Sequence, residues 1–312
     1  MASVQAVREQ LQRVIAGQEE VIDQILVAVL VGGHVLLEGV PGLGKTLMVR
    51  ALARALRVEF RRIQFTPDLM PADVIGTSVF DPREVTFRIR RGPIFTNLLL
   101  ADEINRTPPR TQAALLEAME EGQVTIDGES LPLPEPFLVF ATQNPIEHEG
   151  TYPLPEAQQD RFLLKVLVPY PDEAAERQIL QRHLEGFRAR DLAAAGVEPV
   201  AGPEDLMAWR EAVRQVTVAP ALVDYVHTIV RATRQWSSLA LGAGPRGGIA
   251  LLAASQALAY LQGRSYVLPD DIQAMALPTL RHRVLLRPEA EVEGLTPDDA
   301  LREVLAALPV PR

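Results

Sequence analysis

Only two of the 31 basic residues are lysines, and one of them, Lys45, falls in the run Gly39-Val40-Pro41-Gly42-Leu43-Gly44-Lys45-Thr46. This spacing is G-x-x-x-x-G-K-[ST], in which glycines let backbone N–H groups turn inward around a phosphate at a helix N-terminus. Lys45 supplies a point charge for β- and γ-phosphates, Thr46 a hydroxyl for the shell of a Mg²⁺ ion, and Leu47 carries the phosphate-binding stretch into the helix. A second acidic element follows about fifty residues on, where the apolar run Thr96–Ala101 ends in Asp102-Glu103. On an extended backbone these carboxylates point in different directions and can take different roles: Asp102 holding the cation, directly or through water, and Glu103 polarising the attacking water. Asn144, after the apolar run 137–143, either orients that water and contacts the γ-phosphate or merely opens an Asn-Pro turn. The guanine-specifying N-K-x-D pattern is missing there, which favours ATP over GTP.

These residues need strands and helices to hold them. His34–Glu38 is a β-favouring run bounded by glycines, and 46–56 is rich in helix formers with Leu47, Val49, Leu52, Ala53 and Leu56 on a stripe. A further apolar strand is expected at 163–168. Period-two alternation at 77–91 and the Asp127-Gly128 turn between 124–126 and 131–133 predict two inserted β-hairpins. Beyond Pro171 the texture is helical, with helices expected at 173–187, 204–215, 220–235, 247–262 and 270–280 and a linker over 186–202. Trp209, Tyr225 and Met275 read as core. The fold class is therefore α/β, a parallel sheet flanked by helices over 1–171 followed by a smaller all-α lid over 172–312.

Composition is ordinary for a globular chain of 312 residues, 47% hydrophobic and 23% charged. The absence of cysteine excludes disulfide scaffolds and thiolate chemistry, and the five histidines lack metal-ligand spacing. A net charge of −9 argues against nucleic acid as the main partner, and the arginines at 61, 62, 88, 90 and 91 read as a solvated face or a subunit contact. The N-terminus lacks the order of a signal peptide and no apolar run reaches membrane-spanning length, so a cytoplasmic protein without a membrane span is expected.

Taken together, GVPGLGKT, LLLADEINRTPPRTQAALLEAMEEGQVTIDG, FATQNPIEHEGTYPLPEAQQDRFL and GAGPRGG resemble the AAA+ ATPases, and within them the MoxR family of the helix-2-insert clade, related to magnesium-chelatase ATPase subunits. The resemblance implies that Lys45 and Thr46 belong to Walker A, that Asp102 and Glu103 form Walker B, and that Asn144 is sensor 1. It makes Arg161 an arginine finger and Arg246 sensor 2, acting on its own nucleotide or a neighbour's, and it sets Ile15 and Gly17 beside adenine. A finger after the fifth strand cannot easily face its own γ-phosphate, so a homo-oligomer, a hexameric ring, is expected. The resemblance also implies a chaperone that remodels or matures protein complexes, with a von Willebrand A-domain protein as a candidate partner. Two other readings stay open: the motor subunit of a chelatase-like metal-insertion complex, and a nucleotide-controlled scaffold with little turnover.

Overall fold

The computed structural model describes residues 3–144 and 150–311; Pro145 of the Asn-Pro pair lies outside them. Eleven strands lie among the described residues: β1 (Val35–Glu38), β2 (Phe60–Gln64), β3 (Gly76–Asp81), β4 (Thr86–Arg91), β5 (Leu98–Asp102), β6 (Gln123–Ile126), β7 (Glu129–Pro132), β8 (Leu138–Gln143), β9 (Leu164–Leu167), β10 (Leu239–Leu241) and β11 (Leu285–Leu286). Five of them form the main sheet in the order β2-β5-β8-β1-β9, with β2–β5, β5–β8 and β8–β1 parallel. Leu36, Leu37, Leu98–Ala101 and Leu138–Ala141 are fully buried, as strands covered on both faces require. That burial explains their unbroken apolar sequence.

The chain folds into two compact units that are interleaved along the sequence. The first comprises Met1–Ile22, His34–Leu154 and Leu167–Met207, the second Asp23–Gly33, Pro155–Val166 and Ala208–Arg312. This differs from a single cut at residue 171. The difference arises partly because the expected linker is fastened inside the first unit. Guanidiniums on α3 (Lys45–Ala55) donate to its carbonyls, Arg50 to Ala189 and Arg190 at 3.2 Å and Arg54 to Val197, while Arg13 on α1 (Val4–Val14) donates to Gly196.

The first unit holds strands β1, β2, β5 and β8 of the sheet together with α1, α3, α4 (Pro71–Ile75), α5 (Pro109–Glu121) and α7 (Glu173–Leu184), and α2 (Glu19–Val31) begins there. On α3 the buried face is Met48, Val49, Ala51, Leu52, Ala53 and Ala55. Asp172 caps α7 by accepting from the Ala175 N–H at 2.8 Å, with Glu173 and Glu176 in the first turn where the helix dipole favours them. Both expected hairpins form. In β6–β7, Asp127 and Gly128 take positive φ values of 48° and 86°, the requirement of a two-residue turn matched to strand twist. In β3–β4 the turn reaches Val85, which is left-handed rather than extended, and the apolar face stays uncovered: Phe80 lies across from Phe87 with ring centroids 5.4 Å apart, both exposed.

The second unit is mainly helical, with β10, β11 and most of β9. It contains α6 (Glu156–Gln159), α9 (Pro220–Thr233), α10 (Pro245–Leu261), α11 (Pro269–Leu280), α12 (Pro288–Val292) and α13 (Pro297–Ala307), and α8 (Pro203–Arg214) runs into it. Ala250, Ala254, Ser255 and Ala257 are buried on α10, small enough to admit Ile272, Met275, Ala276 and Leu280 of α11. Trp209, Tyr225 and Met275 are buried as expected. The short pair β10–β11 and the helices α12 and α13 carried no expectation from sequence.

Candidate functional site

The loop between β1 and α3 is built by glycine. Gly42 and Gly44 adopt left-handed φ values of 88° and 80°, and nothing lies within 4 Å of where a Cβ would stand on either. That open, left-handed backbone suits a polyphosphate. Gly39 is constrained differently, since a Cβ there would sit 2.7 Å from the Val168 carbonyl. The Lys45 ammonium turns back to donate to the Gly39 carbonyl. Burial pushes its pKa down, against the opposing pull of Asp102, Glu103 and Glu38.

Asp102 ends β5, and Glu103 follows with φ 58° and ψ 50°. This corrects the expectation of an extended backbone. The left-handed residue brings both carboxylates into one cleft, which a regular strand would forbid. Each is already engaged from neighbouring strands. Arg62 on β2 donates to Asp102 Oδ2 through Nε at 2.9 Å and Nη2 at 2.6 Å. Gln64, two residues on, donates to Glu103 Oε2 at 2.6 Å, while Arg106 pairs with the same oxygen at 3.2 Å. Arg62 Nη2 also donates to Gln64 Oε1, closing a circuit from one acid to the other. Thr142 on β8 donates to Asp102 Oδ1 at 2.5 Å and accepts from the Glu103 N–H at 2.8 Å.

The cleft, about 610 Å³, is lined by Pro41–Leu47, Asp102, Glu103, Thr142–Asn144 and, at its apolar end, by Val14, Ile15, Ala16, Ile179 and Phe187. Thus Lys45, Thr46, Asp102, Glu103, Asn144 and Ile15 are brought together in one unit. Gly17 shapes the apolar end without lining it, its left-handed backbone lying against Ala175, where a Cβ would come within 2.4 Å. Thr46 and Asp102 offer the hard oxygen donors that Mg²⁺ prefers. The residues present therefore fit both a triphosphate and its cation.

Arg161 and Arg246 belong to the second unit. Arg246 pairs with Asp160 at 3.6 Å, and the same carboxylate accepts from Arg283 Nε at 2.7 Å. Arg283, buried after α11, also donates to the carbonyls of Asp160, Phe162, Leu163 and Thr279. It thereby fixes the backbone on both sides of Arg161. Sequence reasoning missed Arg62, Gln64, Thr142, Asp160 and Arg283. The available signals were slight: Arg62 and Gln64 recur at period two, and Thr142 stands two residues before Asn144. Among the other arginines that read as a solvated face or a subunit contact, Arg61 pairs with Glu59, Arg88 with Asp81 and Glu84, and Arg91 lies 4.9 Å from the Phe95 ring centroid.

Comparison with known proteins agrees with this geometry. A family model described as "ATPase family associated with various cellular activities (AAA)" matches residues 34–164, and one described as "AAA lid domain" matches residues 231–304. The chain is 50% identical to uncharacterized protein YeaC of Bacillus subtilis, over 97% of this chain and 93% of that one. It is 44% identical to chaperone MoxR1 of Mycobacterium tuberculosis, over 97% and 81% respectively. A crystal structure from Cytophaga hutchinsonii, described as that of a candidate ATPase, superposes with a TM-score of 0.90 at 40% identity, covering 99% of this chain and 95% of that one. The chain belongs to the MoxR family of AAA+ ATPases, enzymes that hydrolyse ATP.

Proposed function

We propose that the cleft of the first unit binds Mg·ATP and that its hydrolysis drives remodelling or maturation of a protein complex. The observation that carries this reading is the convergence of a left-handed glycine loop, Lys45, Thr46 and two adjacent carboxylates on one cleft. Lys45 neutralises phosphate oxygens, Glu103 takes the proton from the attacking water, and Asn144 orients that water. Thr46 and Asp102 hold the cation, whose charge would offset that of the β- and γ-phosphates. Ile15 and its apolar neighbours receive the base. Arg161 acts on a neighbouring subunit's nucleotide in a ring of copies, and Arg246 completes that arrangement from the same unit. The name of the chaperone relative supports a protein client, and a cytoplasmic setting accords with it; among the described residues no helix is long and apolar enough to cross a membrane.

The test is Glu103→Gln. It should keep ATP affinity within about threefold while turnover falls 10²-fold or more, the scale of a lost general base. The ATP-loaded variant should then retain the client in pull-downs. Turnover within twofold of the parent would remove Glu103 from this role, and retention independent of nucleotide would leave a binding scaffold.

A further inference from the structure

We propose that Thr142 is a positioning residue for hydrolysis, one hydroxyl that sets both Asp102 and Glu103. The proposal rests on the reading that these two carboxylates serve the cation and the water.

Thr142 is 1% exposed and lies in β8 beside β5, where Ala101 is in register with Ala141. A hydroxyl has one proton to give and lone pairs to accept with. Here the proton goes to Asp102 Oδ1 at 2.5 Å, a charge-assisted bond, and an acceptor site takes the Glu103 N–H at 2.8 Å. Both bonds thus go to consecutive acidic residues, and none is spent on the strand's own backbone. Beyond Asp102 the β5 ladder stops, so the Glu103 N–H has no strand partner, and its residue sits in a left-handed conformation that is unfavourable outside glycine. By receiving that N–H, Thr142 stabilises the turn that swings Glu103 into the cleft. The same oxygen fixes the rotation of the Asp102 carboxylate and leaves Oδ2 facing outward toward Arg62. Asn144, just past the end of β8, also lines the cleft.

The experiment compares Thr142→Val, Thr142→Ala and Thr142→Ser with Glu103→Gln. Val preserves the branched shape and removes the hydroxyl; Ser restores the hydroxyl alone. Steady-state hydrolysis is measured together with Mn²⁺ binding by EPR in the presence of a non-hydrolysable ATP analogue. Expected for Val and Ala are a kcat at least tenfold lower, a KM within twofold and Mn²⁺ binding weakened about fivefold or more, with Ser within threefold of the parent on every measure. A kcat within twofold for Val, or Ser failing to restore it, overturns the proposal. So does the failure of every hydroxyl-free variant to fold, since the residue would then be a determinant of the fold. If Glu103→Gln itself still turns over, the underlying reading of the acids falls instead, whatever Thr142 does.

Discussion

Lys45 titrates below the ordinary lysine value of 10.5 because it is withdrawn from water, and the three nearby carboxylates only partly oppose that burial. A bound triphosphate favours its charged form. Nucleotide binding is therefore coupled to proton uptake as pH rises above the lowered pKa of the free cleft, and affinity falls through that range. Calorimetry in buffers of different ionisation enthalpy should record this uptake in the parent and lose it in Lys45→Met. Lys45 and Thr46 were legible in the sequence because the chemistry of a phosphate loop is confined to one contiguous stretch. Arg62, Gln64 and Thr142 were not, because they reach Asp102 and Glu103 from other strands and only the β2-β5-β8 order makes them neighbours. The left-handed backbone at Glu103 was equally hidden, since non-glycine residues rarely announce it.

Strands β1, β5, β8 and β9 were readable to within two residues at each end, as burial leaves an apolar run, whereas the exposed arginines of β2 hid that strand. The pair β10–β11 was not readable either, because strands of three and two residues are too short to show a period. The segment before β9 matters most to the chemistry, and its order comes from elsewhere in the chain. Arg283→Met removes five donated bonds and leaves the carbonyls of Asp160, Phe162 and Leu163 short of a partner. The expected loss is about 1–3 kcal/mol in chemical denaturation of the second unit, the cost of unpaired buried polar groups. Next to it, His282 is fully buried, and its Nε2 donates to the Phe162 carbonyl at 2.9 Å. Burial, followed by the charge of Arg283, depresses its pKa well below 6.5. The unfolded chain then binds the extra proton, so stability is lost as pH falls below about 6.5. Thermal melts between pH 7 and pH 5 should show this decline, and His282→Gln should flatten it.

For the molecule as a whole, the sequence allowed a core and a lid to be separated in kind, strand-bearing then helical. Their interleaving escaped it, because which segment joins which unit depends on contacts such as Arg50 with the 189–190 backbone and Arg210 with the Val29 carbonyl. Arg161 falls in the unit that holds Arg246 and the phosphate loop in the other, so its proposed action on another copy needs a test of its own. Arg161→Ala should lower turnover by about 10³-fold or more, the scale of a finger arginine. Mixed with Glu103→Gln, which keeps its arginine but has an inert cleft, it should regain activity that neither variant has by itself. A mixture as inactive as its components would place the arginine's action within one chain.

The guanidinium seated on Asp102 gives the cleft a built-in counter-ion. A divalent ion bound at this carboxylate would compete with that arginine, and a guanidinium so released would be free to pair with a phosphate oxygen, a coupling that would favour joint arrival of metal and nucleotide.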